Sequence, residues 1–377
     1  MRAIVMLVAG AVMATGTASS AVEATRSTFG TLADGRPVAA VTLSNRAGVS
    51  ATVIAWGATL QSVVMPGRSG TRADVALGHA DLASYIAKPQ YFGSTVGRFA
   101  NRIAKGQFTL DGRAYQVPVN NGANSLHGGT AGFDKQLWTV VEVKPGPVGS
   151  VTLRHVSADG EQGYPGTLTV DAVYSLDEAN ALTIEYRATT TAPTIVNITN
   201  HAYWNLSGEG SANGAMGHLV TIPAETYLPT DDGAIPTGER RSVAGTAFDF
   251  RTPTAVGARV RDARDEQLVF GRGYDHNWVI GTAPTAGVHR MAVVSDPVSG
   301  RGFELLSNQP GLQFYSGNFL DGTSHGKSRR IYRGGDAVVF EPQLFPDTPN
   351  RPAFGSARLA PGETYRNVIV YKLSTGR

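Results

Sequence analysis

The stretch Leu168-Thr169-Val170-Asp171-Ala172-Val173-Tyr174-Ser175-Leu176 puts Leu168, Val170, Ala172, Tyr174 and Leu176 on one face of an extended chain. After the turn Asp177 to Asn180, Leu182-Thr183-Ile184-Glu185-Tyr186-Arg187 repeats the pattern. That predicts two antiparallel, half-buried neighbours. Working outward, Leu32-Ala33-Asp34-Gly35-Arg36 and Phe108 to Val117 each carry Asp-Gly between extended runs, a hairpin signature. Thr52 to Met65 reads as a long β-rich run, stopped by Pro66-Gly67. Further strands are expected at His218 to Ile222, Met291 to Ser295, Gly302 to Leu306, Leu312 to Tyr315, Ala337 to Glu341 and Tyr365 to Leu373. Helical signals are confined to Asp81 to Ala87 and Asp262 to Phe270. Many closely spaced strands without alternating helices give an all-β sandwich or barrel. No linker or fixed-period repeat divides it, so a single domain is expected over residues 22–377.

Composition narrows the function. The 377 residues are 17% charged and 42% hydrophobic with 45 glycines, a profile of a folded chain rich in tight turns. The net charge of +3 comes from scattered residues, with Arg240-Arg241 and Arg329-Arg330 the tightest pairs, so no nucleic-acid footprint is present. With no cysteine, disulfides, thiolate chemistry and Cys-ligated zinc are excluded. Residues 1–21 have the form of a secretory signal peptide, with Arg2, an apolar run from Ala3 to Ala14, then small residues to Ala21. That run is too short to span a bilayer. The expectation is export to the periplasm or the extracellular space, with no membrane insertion after cleavage.

Five stretches carry chemistry. Asn197-Ile198-Thr199-Asn200-His201-Ala202-Tyr203-Trp204-Asn205-Leu206 sets a histidine at a strand end among aromatics and amides, suited to a proton donor in a sugar cleft. A histidine bonded inside a core reads the same way in isolation. Gly97 to Gly106 holds Asn101 and Arg102, whose planar fork can grip hydroxyls, or a surface loop with satisfied charges. Asn124-Ser125-Leu126-His127-Gly128-Gly129 lets backbone approach a ligand closely, as would a plain tight turn. Gly271 to Trp278 is a Gly-flanked polar and aromatic cluster containing Asp275 and His276. In Val338 to Asp347, Glu341 ends an apolar strand that Pro342 is expected to stop; partial desolvation there suits a base.

In this order, from about Phe29 to the C-terminus, these stretches closely resemble the aldose 1-epimerase (galactose mutarotase) family. The carriers are Gly-Arg-x-Ala-Asn-Arg-Ile, Leu-His-Gly-Gly, Thr-Asn-His-x-Tyr, Tyr-Asp-His-Asn, Gln-Pro-Gly and Glu-x-Gln-x-Phe-Pro-Asp. The resemblance implies a large antiparallel β-supersandwich and interconversion of aldose anomers, with no cofactor and no metal. It implies Glu341 as general base, His201 as general acid and His127 as a second active-site histidine. It places Asn101, Arg102, Asp275 and Gln309 at substrate-binding positions. Glucose, galactose, xylose and arabinose are all candidate substrates, and a monomer is expected, with a dimer as the alternative. Trp204 stands where the family often has Phe, and Pro342 and Leu344 are departures within the Glu341 motif.

Two rivals remain: a sugar-binding protein without catalysis, and a glycosidase pairing Glu341 with Asp275, or with Asp347 as substitute. A zinc site from His127 and His201 lacks a short-spaced His pair. Gly326-Lys327-Ser328 has the wrong spacing for a phosphate loop. The glycosylation patterns at Asn197 and Asn205 fall in the catalytic stretch and read as chance. His79, His155, His218, His289 and His325 read as structural or surface residues, and His276 is left open.

Overall fold

The computed structural model describes residues 21–376; the expected leader lies almost wholly outside them. The strand that opens the sequence argument runs Leu168–Asp177 and pairs antiparallel with Ala181–Thr190, Leu168 facing Thr190 and Leu176 facing Leu182. Its buried positions alternate as the sequence demands. The pair sits inside a nine-stranded antiparallel sheet, in order 139–144, 148–157, 168–177, 181–190, 365–375, 301–307, 289–295, 219–221 and 254–255. A five-stranded meander, 23–31 to 72–74, and a six-stranded sheet complete the large layers. The core between them holds Tyr174, Tyr186, Trp204, Phe303, Phe340 and Tyr371, all essentially inaccessible. This is the all-β class read from the pattern.

One expectation needs correction and two are refined. Thr52 to Met65 is two strands, Ser50–Ile54 and Thr59–Pro66, folded back with Ile54 opposite Thr59. The reversal passes through Gly57 (φ 65°) and Ala58 (φ 42°), and a Cβ on Gly57 would press on the Asp134 carbonyl oxygen at 2.7 Å. A lone glycine amid β-formers was the signal. The second helical signal yields a helix of six residues, Glu266–Gly271. Asp262 spends its carboxylate on Arg264, so Asp265 caps instead, accepting from the Gln267 N–H at 3.0 Å. Finally, Pro342 does not end its strand, which spans Val338–Gln343 with Pro342 opposite Leu312. The neighbour on its other side, Tyr203–Trp204, reaches only Val338 and Val339. Beyond that point the strand is an edge, where a residue without an N–H is tolerated.

The six-stranded sheet positions the chemistry. Its order is 203–204, 338–343, 311–315, 275–279, 226–228 and 241–242. Directly opposed residues share a face. Glu341 faces Gln313, which faces Asn277, and two residues along Tyr203, Val339, Tyr315 and Asp275 form a parallel row. The opposite face carries Phe314 stacked on Phe340 at 4.9 Å, with Trp278 5.7 Å from Phe314. One face therefore builds core and the other builds a site.

Candidate active site

Glu341, Asp275, Tyr203 and Tyr315 project from that face into a cleft of about 470 Å³, which loops close from above. Two short ladders bring the loops in. Arg102–Ile103 pairs with Ser125–Leu126, which sets Asn101 and Arg102 beside His127. Thr95–Val96 pairs with Thr199–Asn200, and His201 follows at once, its N–H bound to the Ser94 carbonyl at 2.9 Å. Thr199 Oγ1 donates to the Pro342 carbonyl at 2.8 Å and Asn367 Nδ2 to the same oxygen at 2.9 Å. The strand carrying Glu341 is thus tied directly to the segment carrying His201.

His201 Nε2 lies 3.7 Å from Glu341 Oε1, both side chains nearly inaccessible. Burial pushes the His201 imidazole down to about 4. Burial first, and the Asp275 charge second, hold the Glu341 carboxyl well above its usual range, with Arg102 pulling the other way. Each group disfavours its charged form in a dry site, so the pair holds one proton that either can carry. That is the equipment for moving a proton onto one oxygen and off another.

His127 stands edge-on to His201, ring centroids 5.2 Å apart. Its Nδ1 accepts the backbone N–H of Asn101 at 3.1 Å, and the backbone N–H of His127 donates to the Asn101 carbonyl at 3.0 Å. An accepting Nδ1 leaves the hydrogen of the neutral ring on Nε2. The ring stays neutral because burial and the neighbouring His201, Arg102 and Lys135 all lower its pKa. Asn101 and His127 both take positive φ, 62° and 52°, and a Cβ on Gly128 would collide with the Gly97 carbonyl. Strained backbone over-determined by its surroundings is common at working sites.

Arg102 reaches the cleft with Nε on Asn121 Oδ1 at 3.0 Å and Nη1 3.9 Å from Asp275 Oδ2. The other arginine of the motif, Arg98, does not. It is buried and donates to the carbonyls of Pro165 (2.9 Å), Gly166 (2.8 Å) and Ser157 (3.2 Å), a structural tie. His276 is structural too: Nδ1 accepts the Asp275 N–H at 3.1 Å and the ring packs on Phe248 at 4.8 Å.

Of the expected site residues, Glu341, His201, His127, Asn101, Arg102 and Asp275 all line this cleft. Gln309 does not. It is fully buried, with Nε2 on the Arg366 carbonyl at 3.1 Å and on Asn308 Oδ1 at 3.3 Å, because it precedes the strand Gly311–Tyr315 and turns to the other layer. The glutamine that serves the site is Gln313, whose Nε2 donates to Asp275 Oδ1 at 2.8 Å. Tyr91, Asn121 and Phe319 line the cleft as well and were missed. Tyr315 fell within an expected strand, but its face could not be assigned, since all of Gly311–Tyr315 is buried and shows no alternation.

His127, His201 and Glu341 each offer one ligand atom within 4.8 Å of the others, closer than sequence spacing suggested. The tautomer opposes a cation held through Nε2 of His127: the proton would have to move to Nδ1, against the Asn101 N–H. Asp347, the substitute carboxylate for a glycosidase, is committed elsewhere. Its Oδ1 accepts from the Ala104 N–H at 3.0 Å and from Asn350 at 2.7 Å, outside the cleft. Asn197 and Asn205 are buried, closed to a glycan.

Known proteins resemble this chain along nearly its whole length. The family described as aldose 1-epimerase matches residues 39–372. The chain is 43% identical over 353 residues to the galactose mutarotase of Mus musculus, covering 94% of this chain and 99% of that protein. It is 37% identical to the aldose 1-epimerase of Escherichia coli K12 over 341 residues, 90% of this chain and 96% of the relative. The crystal structure of galactose 1-epimerase from Lactobacillus acidophilus superposes with a TM-score of 0.82 at 28% identity, covering 94% of this chain and 100% of the other. The chain belongs to the aldose 1-epimerase family.

Proposed function

We propose that this protein interconverts the α and β anomers of free aldoses, galactose and glucose first among them. The observation that carries the reading is the 3.7 Å approach of His201 Nε2 to Glu341 Oε1 on the wall of a sugar-sized cleft. The hydroxyl oxygen and the ring oxygen of a cyclic aldose are bonded to one carbon, closer together than a hydrogen bond is long. Two proton-handling atoms at this separation can each reach one of them.

The chemistry follows. With the shared proton on His201, the Glu341 carboxylate takes the proton of the C1 hydroxyl while His201 protonates the ring oxygen. The C1–O5 bond breaks as the C1 carbonyl forms. Rotation about C1–C2 presents the other carbonyl face, O5 attacks it, its proton returns to His201, and Glu341 reprotonates O1. Atoms and charge balance, and each proton transfer contributes roughly 10²–10⁴-fold. His127 offers its Nε2 hydrogen to an oxygen lone pair. Arg102 and the Gln313-braced Asp275 fix the remaining hydroxyls, which converts binding into orientation.

Polarimetry tests this. Dissolved α-D-glucose and α-D-galactose should approach equilibrium rotation faster with the wild type than with buffer, and Glu341→Gln should remove nearly all the acceleration. Acceleration that survives in Glu341→Gln would overturn the assignment of the base. Release of reducing sugar from a glycoside would favour the glycosidase instead.

We propose a single domain over residues 22–377, in which Glu341, His201, His127, Arg102 and Asp275 meet in one cleft, acting as a monomer. The composition of residues 1–21 supports export. N-terminal sequencing of protein recovered outside the cytoplasm should read a chain beginning near residue 21 or 22; a full-length chain confined to the cytoplasm would remove that reading.

A further inference from the structure

His201 must carry a positive charge during part of the cycle, yet it is buried and has little to stabilise that charge. Among the described residues its Nδ1 has no hydrogen-bond partner, and Glu341 is the one carboxylate placed against its ring, at 3.7 Å. Three tyrosine rings pack around it. Tyr203 lies at 5.1 Å with its plane tilted 37°, Tyr91 at 5.6 Å and 34°, and Tyr315 at 6.4 Å and 60°. His127 stands edge-on, and Arg102 and Asp275 share the cleft. Lys135 sits over Tyr91, its Nζ 5.2 Å from the ring centroid and 2.7 Å from Asp134 Oδ2.

Tyr91 differs from the other two tyrosines. Tyr203 and Tyr315 are fixed by the sheet, whereas Tyr91 comes from a loop and holds φ at 60°, a conformation an L residue seldom adopts. That turn is bound to the backbone of His201 itself: the Gly93 N–H donates to the His201 carbonyl at 3.0 Å, and Ser94, whose N–H holds the Tyr91 carbonyl at 3.0 Å, accepts from the His201 N–H. The strained turn therefore keeps one aromatic ring against both His201 and His127, the latter at 4.8 Å.

We propose that Tyr91 is a positioning residue for the His201 proton: the negative face of its ring favours the imidazolium and so raises the fraction of the one-proton pair in which His201, rather than Glu341, carries that proton. An aromatic face within about 6 Å of a cation stabilises it without adding a charge to the cleft. The argument rests on His201 acting as the acid of the proposed reaction. It assigns the effect to the ring, not to the hydroxyl.

Two variants separate the ring from the hydroxyl and from folding. Tyr91→Leu should lower kcat for galactose mutarotation about 3- to 10-fold with KM changed far less, while Tyr91→Phe should stay within about twofold of wild type in kcat. In a Glu341→Gln background, which uncouples the pair, the His201 ring resonance should titrate about 0.5–1 pH unit lower with Leu than with Tyr or Phe at position 91. An unchanged His201 titration in Tyr91→Leu would overturn the proposal, as would a Phe variant as impaired as Leu. The titration needs no substrate, so it decides Tyr91 even if the wild type failed to act on any aldose, a result that would sink the enzymatic reading alone.

Discussion

The backbone N–H of Asn101 donates to Nδ1 of His127, and that 3.1 Å bond decides which hydrogen His127 offers the cleft. With Nδ1 occupied, the neutral ring presents Nε2–H and acts as a fixed donor rather than a base. A preorganised donor aimed at developing charge contributes about 10²–10³-fold. His127→Ala should therefore cost about that much in kcat and leave the fold intact. A loss confined to KM would show that His127 merely binds the ground state.

The same tautomer predicts indifference to chelators. Dialysis against a chelator should leave the mutarotation rate unchanged, because Nε2 of His127 has no free lone pair for a cation. A loss of rate that a divalent ion restores would show that the His127, His201 and Glu341 cluster holds a metal after all.

Gln313 and Gln309 separate by the same kind of reasoning. Gln313 braces Asp275, whereas Gln309 bonds to Asn308 and Arg366 in the other layer. Removing a hydrogen bond to a carboxylate is worth about tenfold or more. Gln313→Leu should raise KM about tenfold. Gln309→Leu should leave KM unchanged and act on stability, because Asn308 and Arg366 lose a partner. Reversed effects would return Gln309 to the site.

Much of this was legible in the chain. The alternation of Leu168 to Leu176 fixed a strand because one face of it meets solvent. Glu341 and His201 stood out as polar residues following apolar runs, but their roles came only with the resemblance to the family, since His201 in isolation reads equally as a core histidine. What hid the rest was burial on both faces. Gly311–Tyr315 and Val338–Gln343 have no exposed position, so nothing in the pattern says that Gln313 shares a face with Glu341. Tyr91 lies in a loop whose backbone is set by His201, more than a hundred residues away. No local signal announces such a contact.

Arg98 and Arg102 sit four residues apart in one motif, and their substitution should produce opposite phenotypes. Arg98 fills a buried socket of carbonyl oxygens that its removal would leave unpaired. Arg98→Ala should lose roughly 2–4 kcal/mol of stability, read from the denaturant midpoint. Arg102→Ala should keep the midpoint near wild type and raise KM. An unaltered midpoint in Arg98→Ala would show that water replaces the guanidinium at no cost.

Glu341 should also weaken the fold it serves. Its Oε2 is buried without a partner among the described residues, and burial together with the Asp275 charge raises the carboxyl well above the ordinary carboxylate range. The folded state therefore binds more protons than the unfolded chain between about pH 4.3 and its own raised pKa. By that sign, the stability Glu341 contributes is fully present below the unfolded pKa and is lost as pH rises through the folded one. Glu341→Gln keeps the shape and cannot ionise. Its melting temperature should match wild type near pH 4 and exceed it increasingly toward pH 8, by roughly 2 °C or more, while its kcat collapses. A variant less stable than wild type at pH 8 would mean that the Glu341 carboxylate is held by favourable contacts and that the base is ready-ionised, not poised.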